Sequence, residues 1–276
     1  MRRPFVQVDV FTETAYFGNP VAVVLDSSGL GDEEMQRLAR WTNLSETTFV
    51  LPPTDSDADY RVRIFTPVSE LPFAGHPTLG TCHAWLEATG SAHKKDTIVQ
   101  DCASGRVRIR SSEGMLAFAA PPLIRYGPVD GPVVDHVAEI LGIDRDEIKD
   151  AYWLDNGPGW VGVLLRDAQA VLAIRPGRVD SMVGVAGAHP PGSDVAFEVR
   201  AFFPKDGVTV EDPVTGSLNA SLAKWLFESG RVESPYVAAQ GAMLGRRGRV
   251  HVELDPSGTI WVGGGTVTCL DGTVEL

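Results

Sequence analysis

Two stretches of this chain run through the same short patterns in the same order, and that order constrains the fold more than any single motif. In the first, Arg63-Ile64-Phe65-Thr66-Pro67 is followed by Ala84-Trp85-Leu86-Glu87-Ala88-Thr89-Gly90. Gln100, Gly105-Arg106-Val107-Arg108-Ile109 and Glu113-Gly114-Met115-Leu116-Ala117-Phe118 come next. In the second, Arg200-Ala201-Phe202-Phe203-Pro204 is followed by Lys224-Trp225-Leu226-Phe227-Glu228-Ser229-Gly230. Gln240, Gly248-Arg249-Val250-His251-Val252 and Ser257-Gly258-Thr259-Ile260-Trp261-Val262 complete the series. Each match is short, but a shared order at nearly constant separation points to an internal duplication. The expected architecture is α+β, with two similar domains over residues 1–122 and 123–276. They join near residues 121–128, where Pro121, Pro122 and Pro128 fall, and the last strand is free to pack back on the first domain.

Periodicity fills in the domains. Phe5 to Phe11 alternates and is rich in Val and Phe, so it reads as a strand. Val21–Leu25, Thr47–Leu51 and Tyr60–Phe65 read as further strands, with three more near 97–101, 105–110 and 115–120. Met35, Leu38, Ala39 and Thr42 recur at helical spacing, which predicts an amphipathic helix over 32–42 with Asp32 as its N-cap. A second helix runs from His76 to Glu87 and stops at Gly90; its counterpart carries Leu218, Leu222, Ala223, Trp225 and Leu226. Helices that are apolar almost all round must be covered on most sides. Each domain is therefore expected to be a curved, mostly antiparallel sheet or half-barrel around one central helix, with a ligand cleft between the two.

Composition narrows the function. The chain has 276 residues, 43% hydrophobic and 22% charged, an ordinary balance for a soluble globular protein. Its net charge of −12 repels phosphate backbones and anionic lipid, so neither nucleic acid nor a membrane surface is an expected partner. Three cysteines, Cys82, Cys102 and Cys269, are too few and odd in number for a disulfide scaffold and fit a reducing compartment. Polar residues interrupt the first segment at once, leaving no signal-peptide core, and no apolar run approaches spanning length. The expected location is cytoplasmic.

The duplication directs attention to the loop entering each central helix. One reads Pro72-Phe73-Ala74-Gly75-His76-Pro77-Thr78, the other Glu211-Asp212-Pro213-Val214-Thr215-Gly216-Ser217. Such a helix start offers backbone N–H groups and the positive end of the helix dipole to an anion. Asp212, Thr215 and Ser217 also have an ordinary use as caps, and the recurrence at equivalent places puts a ligand role level with it. His76 lies where a helix dipole favours neutral imidazole.

Glu46, in Asn43-Leu44-Ser45-Glu46-Thr47, leads from a helix into an apolar strand, where a solvated rim carboxylate is the bland reading. The second half carries Asn156-Gly157-Pro158-Gly159-Trp160-Val161 at what reads as the similar place, with no carboxylate, which fits a single general base. The six histidines (His76, His83, His93, His136, His189, His251) show no metal-ligand spacing. No nucleophile elbow, dinucleotide fingerprint or phosphate loop is present. No metal is expected, and proton movement by acid side chains is the expected chemistry.

At these residues the sequence resembles the PhzF family of phenazine-biosynthesis isomerase-like proteins, which share their fold with diaminopimelate epimerase. The segments that carry it are Val8-Asp9-Val10-Phe11-Thr12, Phe17-Gly18-Asn19-Pro20-Val21-Ala22-Val23-Val24, Asn43 to Thr47, Phe65-Thr66-Pro67, Gly75-His76-Pro77-Thr78-Leu79-Gly80-Thr81 and Glu211 to Ser217. The resemblance implies a cofactor-free homodimer with the active site between the two domains. It implies isomerisation of trans-2,3-dihydro-3-hydroxyanthranilate, a small cyclic carboxylic acid, with Glu46 as general acid/base. His76 and Asp212 would assist proton transfer. Ser217, Thr215, Ser45, Asn19 and backbone groups near Gly75 and Gly216 would bind the substrate. Diaminopimelate epimerase places one cysteine at each central helix entrance; His76 and Ser217 stand there here, which disfavours thiol-based racemisation. Two rivals stay open: an epimerase or isomerase of another small amino or hydroxy acid, and a non-catalytic small-molecule binding protein of the same fold.

Overall fold

A computed structural model describes residues 1–91, 96–112 and 114–276; His93 and Glu113 lie outside the described residues. The chain divides into two compact units, Met1–Ala119 with Gly263–Leu276, and Ala120–Val262. The first unit opens with β1 (Arg2–Val10), β2 (Asn19–Val24), α1 (Asp32–Thr42), β3 (Glu46–Leu51), β4 (Tyr60–Phe65) and β5 (Glu70–Leu71). It continues with α2 (Gly75–Thr89), β6 (Thr97–Cys102), β7 (Gly105–Ser112) and β8 (Met115–Ala119). The second unit contains β9 (Arg125–Pro128), α3 (Gly131–Leu141), β10 (Asp150–Asp155), β11 (Val161–Leu164), α4 (Ala168–Ala173) and β12 (Val183–Ala188). Then come β13 (Phe197–Lys205), β14 (Val208–Glu211), α5 (Gly216–Glu228), β15 (Tyr236–Gln240), β16 (Gly248–Leu254) and β17 (Ile260–Gly264), whose last two residues belong to the first unit. The chain closes with β18 (Thr266–Glu275) in the first unit.

In the first unit β18, β1 and β2 pair antiparallel, and β2 runs parallel to β3 through the α1 crossover. β3 and β4 are antiparallel, and β4 turns back as a hairpin with β5. β4 then lies parallel to β6 through α2, and β6, β7 and β8 finish as an antiparallel meander. The second unit follows the same series. β9, β10 and β11 are antiparallel, and β11 is parallel to β12 through α4. β12 and β13 are antiparallel, β13 forms a hairpin with β14, and β13 is parallel to β15 through α5. The architecture is mixed α+β with few helices. One expectation changes here. Asn156 to Trp160 joins β10 to β11, so its topological counterpart is the link between β1 and β2; the place of Glu46, at the start of the second strand of the parallel pair, is taken by Val183.

Burial explains the two kinds of helix. Met35, Leu38 and Ala39 put one face of α1 against Val24, Phe49 and Phe65, and its other side is polar. The cap of α1 is Gly31 rather than the expected Asp32, because the extended φ, ψ of the cap fall one residue earlier. Glu34 Oε2 accepts the Gly31 N–H at 2.9 Å, and Asp32 is left to pair with Arg63 at 2.7 Å. α2, by contrast, is buried without a break from Gly75 to Cys82, and α5 from Leu218 to Ala223. α2 approaches β2 so closely that a Cβ on Gly80 would sit 2.3 Å from Val21 Cγ1. α3, absent from the first unit's series, packs with α4 through Val134, Val137, Ile140, Leu141, Val171 and Ile174 onto Val163, Val185 and Phe202.

The matched arginines of the sequence repeat do matched work. Arg63 grips Glu70 across the β4–β5 hairpin with two bonds of 2.7 and 2.6 Å and lies over Phe65. Arg200 grips Glu211 across β13–β14 at 2.9 and 2.7 Å and lies over Phe202. Two-pronged guanidinium–carboxylate bonds of this kind are directional as well as strong, and each locks the hairpin that precedes a central helix.

Candidate active site

In the first unit the register brings three side chains to one end of the sheet. Asn19 opens β2, Glu46 opens β3, and because the two strands are parallel Glu46 lies beside Val21 at the same end. α2 starts there too, with Gly75 as its first residue and His76 as its second. Thr81 on α2 donates to Thr48 Oγ1 at 2.8 Å, and Thr48 in turn donates to the Ala22 carbonyl, tying helix to strands one turn below the site. His76 Nε2 stands 3.1 Å from Glu46 Oε2, with side-chain exposures of 7% and 14%. Asn19, fully buried, presents its amide nitrogen to His76 Nδ1 at 3.3 Å. An amide N–H can only donate, so the ring meets this amide as an acceptor at Nδ1, and Nε2 is the nitrogen that faces the carboxylate. Asn19 thus orients the imidazole. Ser45, half-buried, occupies the bend just before Glu46.

In the second unit the predicted residues gather at the start of α5. Thr215 is the N-cap position, with Gly216 first and Ser217 second in the helix, the same positions as Gly75 and His76 in α2. Thr215 Oγ1 donates to Asp212 Oδ2 at 2.5 Å, and neither Ala74 nor Thr215 makes a side-chain cap bond. Gln240 on β15 organises the turn. It accepts from the Thr215 N–H and from Asn219 Nδ2 and donates to the Asp212 carbonyl and Thr215 Oγ1, all between 2.9 and 3.1 Å. Those four bonds use both donors and both lone-pair directions of one buried carboxamide. Glu211, part of the same sequence motif, is spent on Arg200.

Two residues not expected at this entrance belong to it. Trp160 Nε1 donates to Ser217 Oγ at 3.0 Å, and Asn156 Nδ2 donates to the Ser217 carbonyl at 2.9 Å. The signal in the sequence was a tight Gly-Pro-Gly turn bounded by Asn and Trp, and only the fold shows which helix it meets.

No cysteine lies within either entrance segment, Pro72–Thr78 or Glu211–Ser217. Burial pushes the Cys82 thiol up to about 12, so it carries no thiolate at neutral pH. Cys102 and Cys269 lie on β6 and β18. Among the described residues no three His, Cys, Asp or Glu side chains gather as a metal set, and no helix is long and apolar enough to cross a membrane.

A family model described as phenazine biosynthesis-like protein, PhzC-PhzF, matches residues 8–272. The chain belongs to the PhzC-PhzF family. It is 34% identical to trans-2,3-dihydro-3-hydroxyanthranilate isomerase of Pseudomonas aeruginosa, over 92% of this chain and 91% of the relative. The same identity relates it to antisense-enhancing sequence 1 of Schizosaccharomyces pombe, over 97% of both chains. A PhzF-family phenazine biosynthesis protein from Enterococcus faecalis has the same fold, with a TM-score of 0.81, 27% identity and full coverage of both chains. A hydroxyproline epimerase from Agrobacterium vitis shares the fold alone, at TM-score 0.60 and 14% identity over 99% of this chain and 92% of that one. With isomerases among its full-length relatives, this PhzC-PhzF protein is an isomerase.

Proposed function

We propose that this protein isomerises trans-2,3-dihydro-3-hydroxyanthranilate, or a close cyclic carboxylic acid, by moving one proton, with Glu46 as general acid/base. The observation that carries the reading is the largely buried Glu46–His76 pair, 3.1 Å apart at the first turn of α2. A carboxylate there can take the proton from C3. The C–H electron pair then shifts the ring double bonds, and the same carboxyl returns a proton to C1. The enol that results converts to its keto form. His76, oriented by Asn19, is within reach to relay or share that proton. Asp212 is assigned a supporting part in proton transfer, with Thr215 as its hydrogen-bond partner. Gly75, Gly216, Ser217, Thr215 and Ser45 are assigned to binding, the helix starts taking the substrate carboxylate.

Cofactor independence, a homodimer and a cytoplasmic location belong to the same proposal. The family resemblance supports the first two, and the sparse cysteines support the third. The shared series of strand pairings and the matched Arg–Glu hairpins support a duplicated ancestor for the two units.

The test compares wild type with Glu46→Gln on trans-2,3-dihydro-3-hydroxyanthranilate in deuterated water, by ultraviolet spectrum and product mass. The variant is expected to stay folded and lose about 10²–10⁴-fold in rate. A folded variant with most of its activity overturns the role of Glu46. No conversion by wild type moves the substrate to another small acid.

A further inference from the structure

We infer that Trp160 is a positioning residue that fixes the Ser217 hydroxyl as a hydrogen-bond donor toward an acceptor oxygen of the substrate. This rests on the reading above that Ser217 touches the substrate. The indole N–H is a donor only, so its 3.0 Å bond occupies a lone pair of Ser217 Oγ and turns the hydroxyl proton away from the ring. Trp160 is itself held. It is 3% exposed, and its carbonyl accepts from Leu154 N–H at 2.9 Å. Asp155 Oδ1 accepts from both Gly157 and Gly159 N–H, at 2.7 and 2.8 Å, clamping the turn that delivers the indole. Asn156, from the same turn, holds the Ser217 backbone carbonyl.

The arrangement parallels the first unit, where Asn19, at the end of the link from β1 to β2, orients the second residue of α2. In the second unit the link between the corresponding strands, β10 and β11, orients the second residue of α5. The chemistry differs: an amide facing an imidazole in one, an indole facing a hydroxyl in the other. A hydroxyl that already accepts from the indole has its proton free to donate, which suits a carboxylate or carbonyl oxygen of the ligand.

The experiment is a double-mutant cycle read as anthranilate affinity by calorimetry, using wild type, Trp160→Phe, Ser217→Ala and the double variant, with Tm measured for each. Trp160→Phe keeps the ring and removes the donor, and is expected to weaken binding about three- to tenfold. In the Ser217→Ala background the same change is expected to have no further effect, because its target is gone. A purely structural tryptophan would lower Tm equally in both backgrounds and leave affinity unmoved. An undiminished effect of Trp160→Phe without Ser217, or none with it, overturns the inference alone. Ser217→Ala without effect, or wild type that binds no anthranilate, overturns the reading beneath it as well. Trp160→Leu, which also carries no donor, carries the test if the Phe variant does not fold.

Discussion

The entrances of α2 and α5 are built on one backbone plan and end in different chemistry. At α2 the second helical residue is His76, held by Asn19 and set against the Glu46 carboxylate. At α5 it is Ser217, held by Trp160, and the place matching Glu46 is an apolar valine, Val183. On the proposed reading the first entrance supplies the Glu46–His76 pair for proton exchange, and the second supplies Asp212 with the hydroxyls of Thr215 and Ser217. The comparison teaches that two units with one series of strand pairings can share their positioning devices while the groups positioned differ.

The supporting structure gives ways to break that comparison. The largest expected difference lies in the hairpin arginines. Arg200 is 4% exposed and Glu211 11%, so Arg200→Met leaves a buried carboxylate without its cation and is expected to cost about 3–5 kcal/mol. Arg63 is 18% exposed and Glu70 34%, and Arg63→Met is expected to cost about 1 kcal/mol. Equal shifts in denaturant midpoint would show that the two hairpins are not differently buried in energetic terms. Next come the matched glutamines. Gln240→Leu breaks four hydrogen bonds and is expected to cost about 2–4 kcal/mol, whereas Gln100→Leu breaks those to Tyr60 Oη and Thr78 Oγ1 and is expected to cost about 1–2. The reverse order in urea titrations would refute the view that α5 depends more on its glutamine.

The smallest effect concerns His83 on α2, which lies between Thr266 and Thr268 of β18 and 3.3 Å from Glu87. Burial lowers its pKa from the ordinary 6.5, against the pull of Glu87. A histidine depressed in the fold contributes stability that is full above the unfolded value and lost as pH falls through and below it. Wild type is therefore expected to lose more stability between pH 7.5 and 5.5 than His83→Gln, and parallel losses would remove His83 from the account.

Much of the first unit was legible in its residues. The β4 strand runs over Tyr60–Phe65 as its alternation predicts, and α1 spans 32–42, because half-buried elements write their periodicity plainly. The cap of α1 was misread because Gly31 caps by backbone conformation and shows no polar side chain. The two-residue β5 is too short to leave a period. Glu46 and His76 stood out as candidates, and the fold brings them together through the parallel β2–β3 pairing. Trp160 could not be paired with Ser217 from sequence, since 57 residues separate them. α4, only six residues long, leaves too little period to show which strands flank it, so the true counterpart of the Asn156–Trp160 turn is not legible in the sequence.

The pairing of β18 with β1 has a consequence for how the chain is made. All of the second unit, residues 120–262, is synthesised before the strand that covers the β1 edge exists. On the ribosome the part begun first must wait, its outer strand bare, while the part begun later already has its whole complement of strands. The order of birth and the order of completion are reversed, and bare β-strand edges are the places where nascent chains find wrong partners.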